Sequence, residues 1–96
     1  MIGCHAIVKT EQASKYLQQL CKHFSHKIEV EYTPTAGLIK FPPAFCELKA
    51  TPDSLTFYFE TESTENQKVY QDVLESHLVR FAHKETLSFV WKEGAV

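Results

Sequence analysis

The chain has 96 residues, of which 44% are hydrophobic and 23% charged, so it is large enough for one domain with its own core and too small for two. Ten basic against twelve acidic residues give a net charge of −2, which excludes the strong positive field that drives nucleic-acid binding. No segment approaches the roughly 20 apolar residues that span a bilayer. We therefore predict a soluble single domain, residues 1–96, without nucleic-acid or membrane partners.

Cysteine usage indicates the redox compartment. Cys4, Cys21 and Cys46 are odd in number, lack CxxC spacing and are not preceded by a secretory signal. We therefore expect free thiols and a cytoplasmic location.

The first third of the chain reads as strand, helix and strand. Apolar and polar residues alternate over residues 4–9, as in a half-buried strand. Thr10 is the predicted N-cap of a helix that extends to Phe24. Alternation returns over residues 28–32 and predicts a second strand. The apolar stripe of the helix comprises Ala13, Tyr16, Leu17, Leu20, Cys21 and Phe24.

Three further strands are predicted in the middle of the chain. The first covers residues 37–41 and is stopped by Pro42 and Pro43. Two alternating segments, 45–50 and 55–60, are separated by turn-forming residues and should form a hairpin.

The last part of the chain reads as helix and strand. Thr64 and Gln67 fit a capping box at the start of the helix. Alternation over residues 87–92 predicts a final strand. The stripe of this second helix comprises Tyr70, Val73, Leu74, His77, Leu78 and Phe81.

The two halves of the chain resemble each other. A shift of 57 positions superimposes one helix stripe on the other, and each half is a strand–helix–strand unit. We therefore predict an α+β, two-layer sandwich with an antiparallel sheet and two helices on one face. Its order is β-α-β-β-β-β-α-β, which is ferredoxin-like with an added hairpin. The strand order stays open. The superimposed pairs are Leu17 and Leu74, Cys21 and Leu78, and Phe24 and Phe81.

Segments 20–27, 46–50 and 77–82, together with Trp91, resemble the bacterial family called domain of unknown function 2218. The resemblance covers nearly the whole chain and departs at Ala44, where a glycine is expected. It implies a bacterial protein without an established activity, hence no catalytic residues to assign. Relatives associated with iron–siderophore uptake imply a weak link to iron acquisition.

His77 and Cys46 are the first candidate site residues. The repeat places His77 over Leu20 in an apolar stripe, so it is either a ligand, base or switch in a pocket or a core histidine bonded to a carbonyl or tyrosine. Cys46 is predicted to face the helices. A contact with His77 would give it a thiolate or soft-metal role, and otherwise it is an inert buried thiol.

Basic side chains cluster at the helix ends. His23 and His26 can share a helix face, but cations also stabilise helix C-termini, and His83 with Lys84 repeats the pattern. No phosphate loop, nucleophile elbow or spaced metal motif is present, so we expect no cofactor and consider an enzyme the weaker hypothesis. The candidate ligand-binding residues are His77, Cys46, His23 and Arg80.

The second face of the predicted sheet is unusually apolar. A face open to water should be polar, so apolar groups there predict that a second copy or another protein covers it, although scattered exposed hydrophobes are ordinary. We therefore predict a non-catalytic binding or interaction domain that forms a homo-oligomer. The alternative is a small-molecule or metal-binding protein with a pocket around His77 and Cys46. The residues predicted to point away from the helices are Ile7, Leu38, Phe45, Tyr58 and Val90.

Overall fold

The structure, a computed structural model, describes residues 1–82 and 84–94, so the predicted position of His83 lies outside the described residues. Two helices cover one face of a six-stranded antiparallel sheet, which confirms the predicted α+β sandwich and its element order. The elements are β1 Ile2–Lys9, α1 Ala13–Phe24, β2 Val30–Tyr32, β3 Ala36–Phe41, β4 Ala44–Ala50, β5 Ser54–Thr61, α2 Thr64–Phe81 and β6 Lys92–Glu93.

The strand order, which the sequence left open, is β2-β3-β4-β5-β1-β6. Strands β2, β5, β1 and β6 keep the relative order of a ferredoxin-like sheet, and the added hairpin β3–β4 lies between β2 and β5. The predicted hairpin of β4 and β5 is present, with Ala50 opposite Leu55.

Alternation along the strands decides which residues form the core. Cys46, Phe59 and Cys4 are Cα partners across β4, β5 and β1, and all three are buried under the helices. Fully burying a residue such as Phe59 contributes about 1.5–3 kcal/mol, so these rows hold the two layers together. At Gly37 a Cβ atom would lie 2.8 Å from the Cys21 sulfur, so α1 packs closely on β3 only because that position is a glycine.

The prediction that Thr10 caps α1 was wrong. The helix begins at Ala13, and Gln12 holds the cap position without a side-chain cap bond. The Thr10 amide donates to the Asp53 carbonyl at 3.0 Å, and its hydroxyl accepts from the Gln12 amide at 3.0 Å. The hydrogen bonds that pair β1 with the turn before β5 therefore continue through Thr10, and the helix starts later in the sequence than predicted.

The predicted capping box of α2 is displaced by one residue. Ser63, not Thr64, is the cap, and its hydroxyl accepts from the Asn66 amide at 3.2 Å. Glu62 supports the same turn by accepting from the Asn66 side chain at 2.6 Å.

The final strand is shorter than predicted and covers only Lys92–Glu93. Leu87, Phe89 and Trp91 nevertheless pack against the core, as their alternation predicted. The ring centroid of Trp91 lies 5.6 Å from that of Phe59 on β5, on the far side of β1. The side chains of this segment therefore pack over the small residues of β1, and the segment does not extend the antiparallel pairing between β1 and β6. No helix in the described part of the chain is long and apolar enough to cross a membrane.

Candidate functional site

His77 lies at the contact between the two helices. Its ring centroid is 4.8 Å from that of His23 and 5.2 Å from that of Phe24, both in the last turn of α1. Phe81 closes the other side of His23, with ring centroids 6.1 Å apart. The antiparallel packing of α1 and α2 thus brings together two of the four candidate residues from distant parts of the sequence.

The two nitrogens of His77 have different roles. Nδ1 lies 2.7 Å from the carbonyl oxygen of Val73, one turn earlier on α2. A carbonyl can only accept, so Nδ1 carries a proton and donates, which leaves Nε2 as the second nitrogen of the ring. A structural histidine requires such a hydrogen bond to satisfy its buried N–H group. The same bond would also hold the ring in place if His77 bound a ligand. His77 therefore keeps both predicted roles.

His23 is exposed and lies in a cluster of positive groups. Its pKa is lowered from the usual 6.5, first by partial burial and then by repulsion from nearby cationic groups. The ion pairs found in the described residues join Lys40 on β3 to Glu29 and Glu31 and include none of these positive groups. Positive groups at this position suit the carbonyl end of α1, where the helix dipole favours cations. The repelling neighbours of His23 are His77, His26, Lys27 and Arg80.

Cys46 occupies a different environment from the other candidates. It is fully buried on β4, and its sulfur lies 3.7 Å from the carbonyl oxygen of Glu47. Burial raises the pKa of its thiol well above the ordinary value, and the thiols of Cys21 and Cys4 raise it further. A reactive cysteine needs a lowered pKa. The burial and raised pKa of Cys46 are thus those of a core residue, and His77 is neither its hydrogen-bond partner nor among the groups that shift its pKa.

All three cysteines are free and buried, as predicted. Burial also raises the pKa of Cys21 to about 11. In the described part of the chain, no group of three or more metal-ligating side chains is positioned to hold an ion.

A polar cluster that was not predicted joins α1 to the segment after α2. The hydroxyl of buried Tyr16 donates to a carboxylate oxygen of Glu85 at 2.5 Å, and the hydroxyl of Thr10 donates to the same oxygen at 3.2 Å. Burial and Glu85 together raise the pKa of Tyr16 to about 12. Tyr16 was predicted only as part of an apolar stripe. The one available signal was its hydroxyl, since a buried phenol needs a polar partner.

Two surface cavities lie on either side of Glu85. One, of about 440 Å³, includes Lys15 and Lys84, and the other, of about 370 Å³, includes Lys9 and Asp53. The carboxylate between them already accepts two hydroxyl hydrogen bonds. The cluster therefore fastens the C-terminal segment to α1 through one oxygen of the Glu85 carboxylate.

The face of the sheet opposite the helices has an apolar centre. Leu38, Phe45, Tyr58 and Ile7 come from four adjacent strands, and the rings of Phe45 and Tyr58 lie 6.3 Å apart. Ile7 exposes 47% of its surface. At Gly3 a Cβ atom would lie 2.8 Å from the Tyr58 hydroxyl oxygen, so glycine is required there for the tyrosine to lie over β1.

One row of Cα partners crosses this face and separates its charges. The row begins with an acidic residue on β2 and ends with two basic residues on β1 and β6; between them lie Leu38, Tyr58 and a second acidic residue, Glu47 on β4. Cross-strand partners point to the same side of a sheet, so these side chains share one surface. We call this surface the open face. In spatial order the row is Glu31, Leu38, Glu47, Tyr58, His5 and Lys92.

Comparisons with other proteins agree with the fold and the sequence motifs. The NMR structure of PA4090 from Pseudomonas aeruginosa has 38% sequence identity and a TM-score of 0.82, over 96% of each chain. No curated protein matches this chain. The family model for DUF2218, described as an uncharacterized protein conserved in bacteria, matches residues 5–92. The chain therefore belongs to this bacterial family, as the resemblance of its helix-end and β4 motifs predicted.

Proposed function

We propose that this protein is a non-catalytic interaction domain that binds a second copy of itself through the open face. The observation that carries this proposal is the charge separation along the row of Cα partners. Glu31 and Glu47 make the β2–β4 half of the row acidic, and His5 and Lys92 make the β1–β6 half basic, with Leu38 and Tyr58 as the uncharged members. Such a surface is complementary to a copy of itself.

A two-fold axis parallel to the strands would use this complementarity. Rotation about it reverses the strand order, so the β2 edge of one protomer would lie over the β1–β6 edge of its partner. Glu31 would then approach Lys92 of the partner subunit, Leu38 would lie over the partner's His5, and Glu47 would lie over the partner's Tyr58 at the centre. Aligned packing of two sheets at a separation of about 10 Å accommodates such side chains.

The size of the open face fits a stable dimer. The domain measures 33 × 27 × 21 Å, and in a two-layer sandwich the sheet spans the two longer dimensions. A standard interface buries about 800 Å² on each partner, which is comparable with this face. Tyr58 suits the centre of an interface because its hydroxyl donates to Glu60 at 3.1 Å, and its polar atom is already satisfied.

The test is the oligomeric state over a range of concentrations, measured by sedimentation equilibrium. We expect the wild type to dimerise and both Phe45→Glu and Tyr58→Glu to weaken the dimer at least about tenfold, or ~1.4 kcal/mol. Val79→Glu is the matched control, because Val79 is 57% exposed on α2 and lies outside the open face. A wild-type protein that stays monomeric at the highest concentration would overturn the proposal.

Charge reversal tests the orientation of the two copies. Glu31→Lys and Lys92→Glu should each weaken the dimer, and the double variant should recover most of the loss, since it exchanges the two edges. If the double variant instead lost as much affinity as the two single variants together, the β2 edge of one protomer would not lie over the β1–β6 edge of its partner.

The alternative function, a pocket formed by His77 and Cys46, has less support. Cys46 lies in the core with a raised thiol pKa, so it suits neither nucleophilic chemistry nor ready metal exchange. The links to iron–siderophore uptake and to the cytoplasm stay predictions. Elemental analysis of untagged protein purified from its natural host would test the first of them.

A further inference from the structure

We propose that His23 and His77 together bind one borderline divalent metal ion, with Zn²⁺ as the representative case, where the last turn of α1 packs against the C-terminal half of α2. Nitrogen atoms of the two imidazoles would supply two ligands, and water would fill the remaining positions. This inference is independent of the dimer, because the site lies on the helical layer and the proposed interface on the opposite face of the sheet.

The distance between the two rings fits a shared ion. Two nitrogens bound to tetrahedral zinc at about 2 Å each lie about 3.3 Å apart. The ring centroids of His23 and His77 are 4.8 Å apart and their planes are inclined by 50°. A centroid separation of this size leaves the ring nitrogens of the two imidazoles within reach of one ion, and the exposed His23 side chain is free to reorient toward it.

The hydrogen bond of His77 prepares its ring for a metal. Histidines that bind metals usually donate their other ring N–H to a carbonyl or carboxylate, which fixes the ring and makes the ligand nitrogen more basic. His77 meets this condition, because Nδ1 donates to the Val73 carbonyl at 2.7 Å and Nε2 is the nitrogen that remains. Phe24 and Phe81 pack beside the pair and limit its contact with water.

The charges around the pair determine which ion is suitable and how tightly it binds. The described neighbours include no carboxylate partner for the cluster, so hard ions such as Mg²⁺, which require oxygen ligands, are disfavoured. Imidazole ligands suit Zn²⁺, Cu²⁺ and Ni²⁺. Arg80 repels any cation there, as do His26 and Lys27, whereas the carbonyl end of α1 attracts it. Removing the charge of Arg80 should therefore strengthen binding.

The experiment is calorimetric titration of untagged, chelator-treated protein with Zn²⁺ alone at pH 7.5, and with Mg²⁺ for comparison. We expect one Zn²⁺ per chain and no binding of Mg²⁺. His23→Ala and His77→Leu should each lower the Zn²⁺ affinity at least tenfold, and Arg80→Gln should raise it several-fold. His77→Leu is chosen because Leu20 occupies the equivalent position of the repeat, so the variant should keep its fold, which circular dichroism would verify.

His5→Ala is the control, since His5 lies on the open face and its Nδ1 contacts the Gly94 carbonyl at 2.7 Å. Its affinity for Zn²⁺ should equal that of the wild type. The proposal is overturned if the wild type binds no Zn²⁺, if binding survives both histidine substitutions, or if one ion is shared between two chains. Phe45→Glu should bind Zn²⁺ normally, so failure of the dimer proposal and failure of this one are distinguishable.

Discussion

The contact between the two helices has two polar ends, and they are built differently. At one end, the Tyr16 hydroxyl donates to Glu85, which also accepts from Thr10. At the other, His77 has one bond to its own helix, and its remaining nitrogen is beside His23. Tyr16 and His77 are the polar members of the two apolar helix stripes. The Tyr16 hydroxyl bonds to another segment of the chain and so joins the two, whereas the hydrogen bond of His77 stays within its own helix and leaves one ring nitrogen for another partner. The two ends should therefore respond oppositely to substitution.

The largest effect is expected at the Tyr16 end. Glu85→Ala would leave the Tyr16 and Thr10 hydroxyls without their shared acceptor. Hydrogen bonds to charged groups contribute about 1.5–3 kcal/mol, so we expect the free energy of unfolding to fall by about that amount. Urea unfolding would measure it. Glu85→Gln is the matched control, because an amide oxygen still accepts while the charge is lost, and its effect should be smaller.

The alkaline pH dependence of stability should identify the same bond. The pKa of Tyr16 is raised to about 12 in the folded protein, above the usual 10 of the unfolded chain. The unfolded state therefore loses its proton first, so the stabilisation is complete below pH 10 and is lost as the pH rises toward 12. Tyr16→Phe should remove this part of the pH dependence. An unchanged alkaline profile would mean that the hydroxyl does not stabilise the fold.

A smaller change, of opposite sign, is expected at the other end. His77→Leu restores an apolar residue at the position equivalent to Leu20, which is fully buried. Complete burial of a leucine side chain contributes about 1.5–3 kcal/mol, and a half-buried position realises part of that gain, which the lost bond to Val73 offsets further. We expect the free energy of unfolding to rise by about 0.5–1 kcal/mol in urea unfolding. A large loss of stability would instead show that His77 is a structural residue like Tyr16.

The sequence predicted this contact only in part, for a physical reason. Periodicity is local, so it predicted the stripes of both helices and the alternation that buries Phe57 and Phe59. The polar pairs are not local, because Tyr16 and Glu85 are 69 positions apart and meet only after the chain has folded. The repeat identified His77 as the exception in its stripe, but the pairing with His23 depends on how the two helices are packed.

Helix starts were misplaced for a related reason. Thr10 has the side chain of a cap, but its amide is taken by Asp53 in the neighbouring turn. The competing partner lies in another segment, so local residue preferences could not reveal it. Cys46 shows the same limit. Alternation placed it correctly under the helices, while its distance from the histidine pair depends on the strand order.

The smallest expected effect concerns the exposed member of the histidine pair. The pKa of His23 is lowered in the folded protein by partial burial and by repulsion from His77 and other cations. The unfolded state therefore binds a proton more readily below about pH 6.5. The stability is complete above that pH and decreases as the pH falls through the folded-state pKa. The decrease should be small, because solvent screens an exposed group.

NMR titration of the metal-free protein would measure this directly. The His23 ring should titrate below the usual 6.5 in the wild type. In His77→Leu its midpoint should move toward the usual value, since one of the repelling groups is gone, while partial burial and the remaining cations keep it from a full return. An unchanged midpoint would mean that the two imidazoles do not interact in solution. In that case His77 would not differ from Tyr16 in having a ring nitrogen beside a neighbouring polar group, and the comparison between the two ends of the helix contact would be wrong.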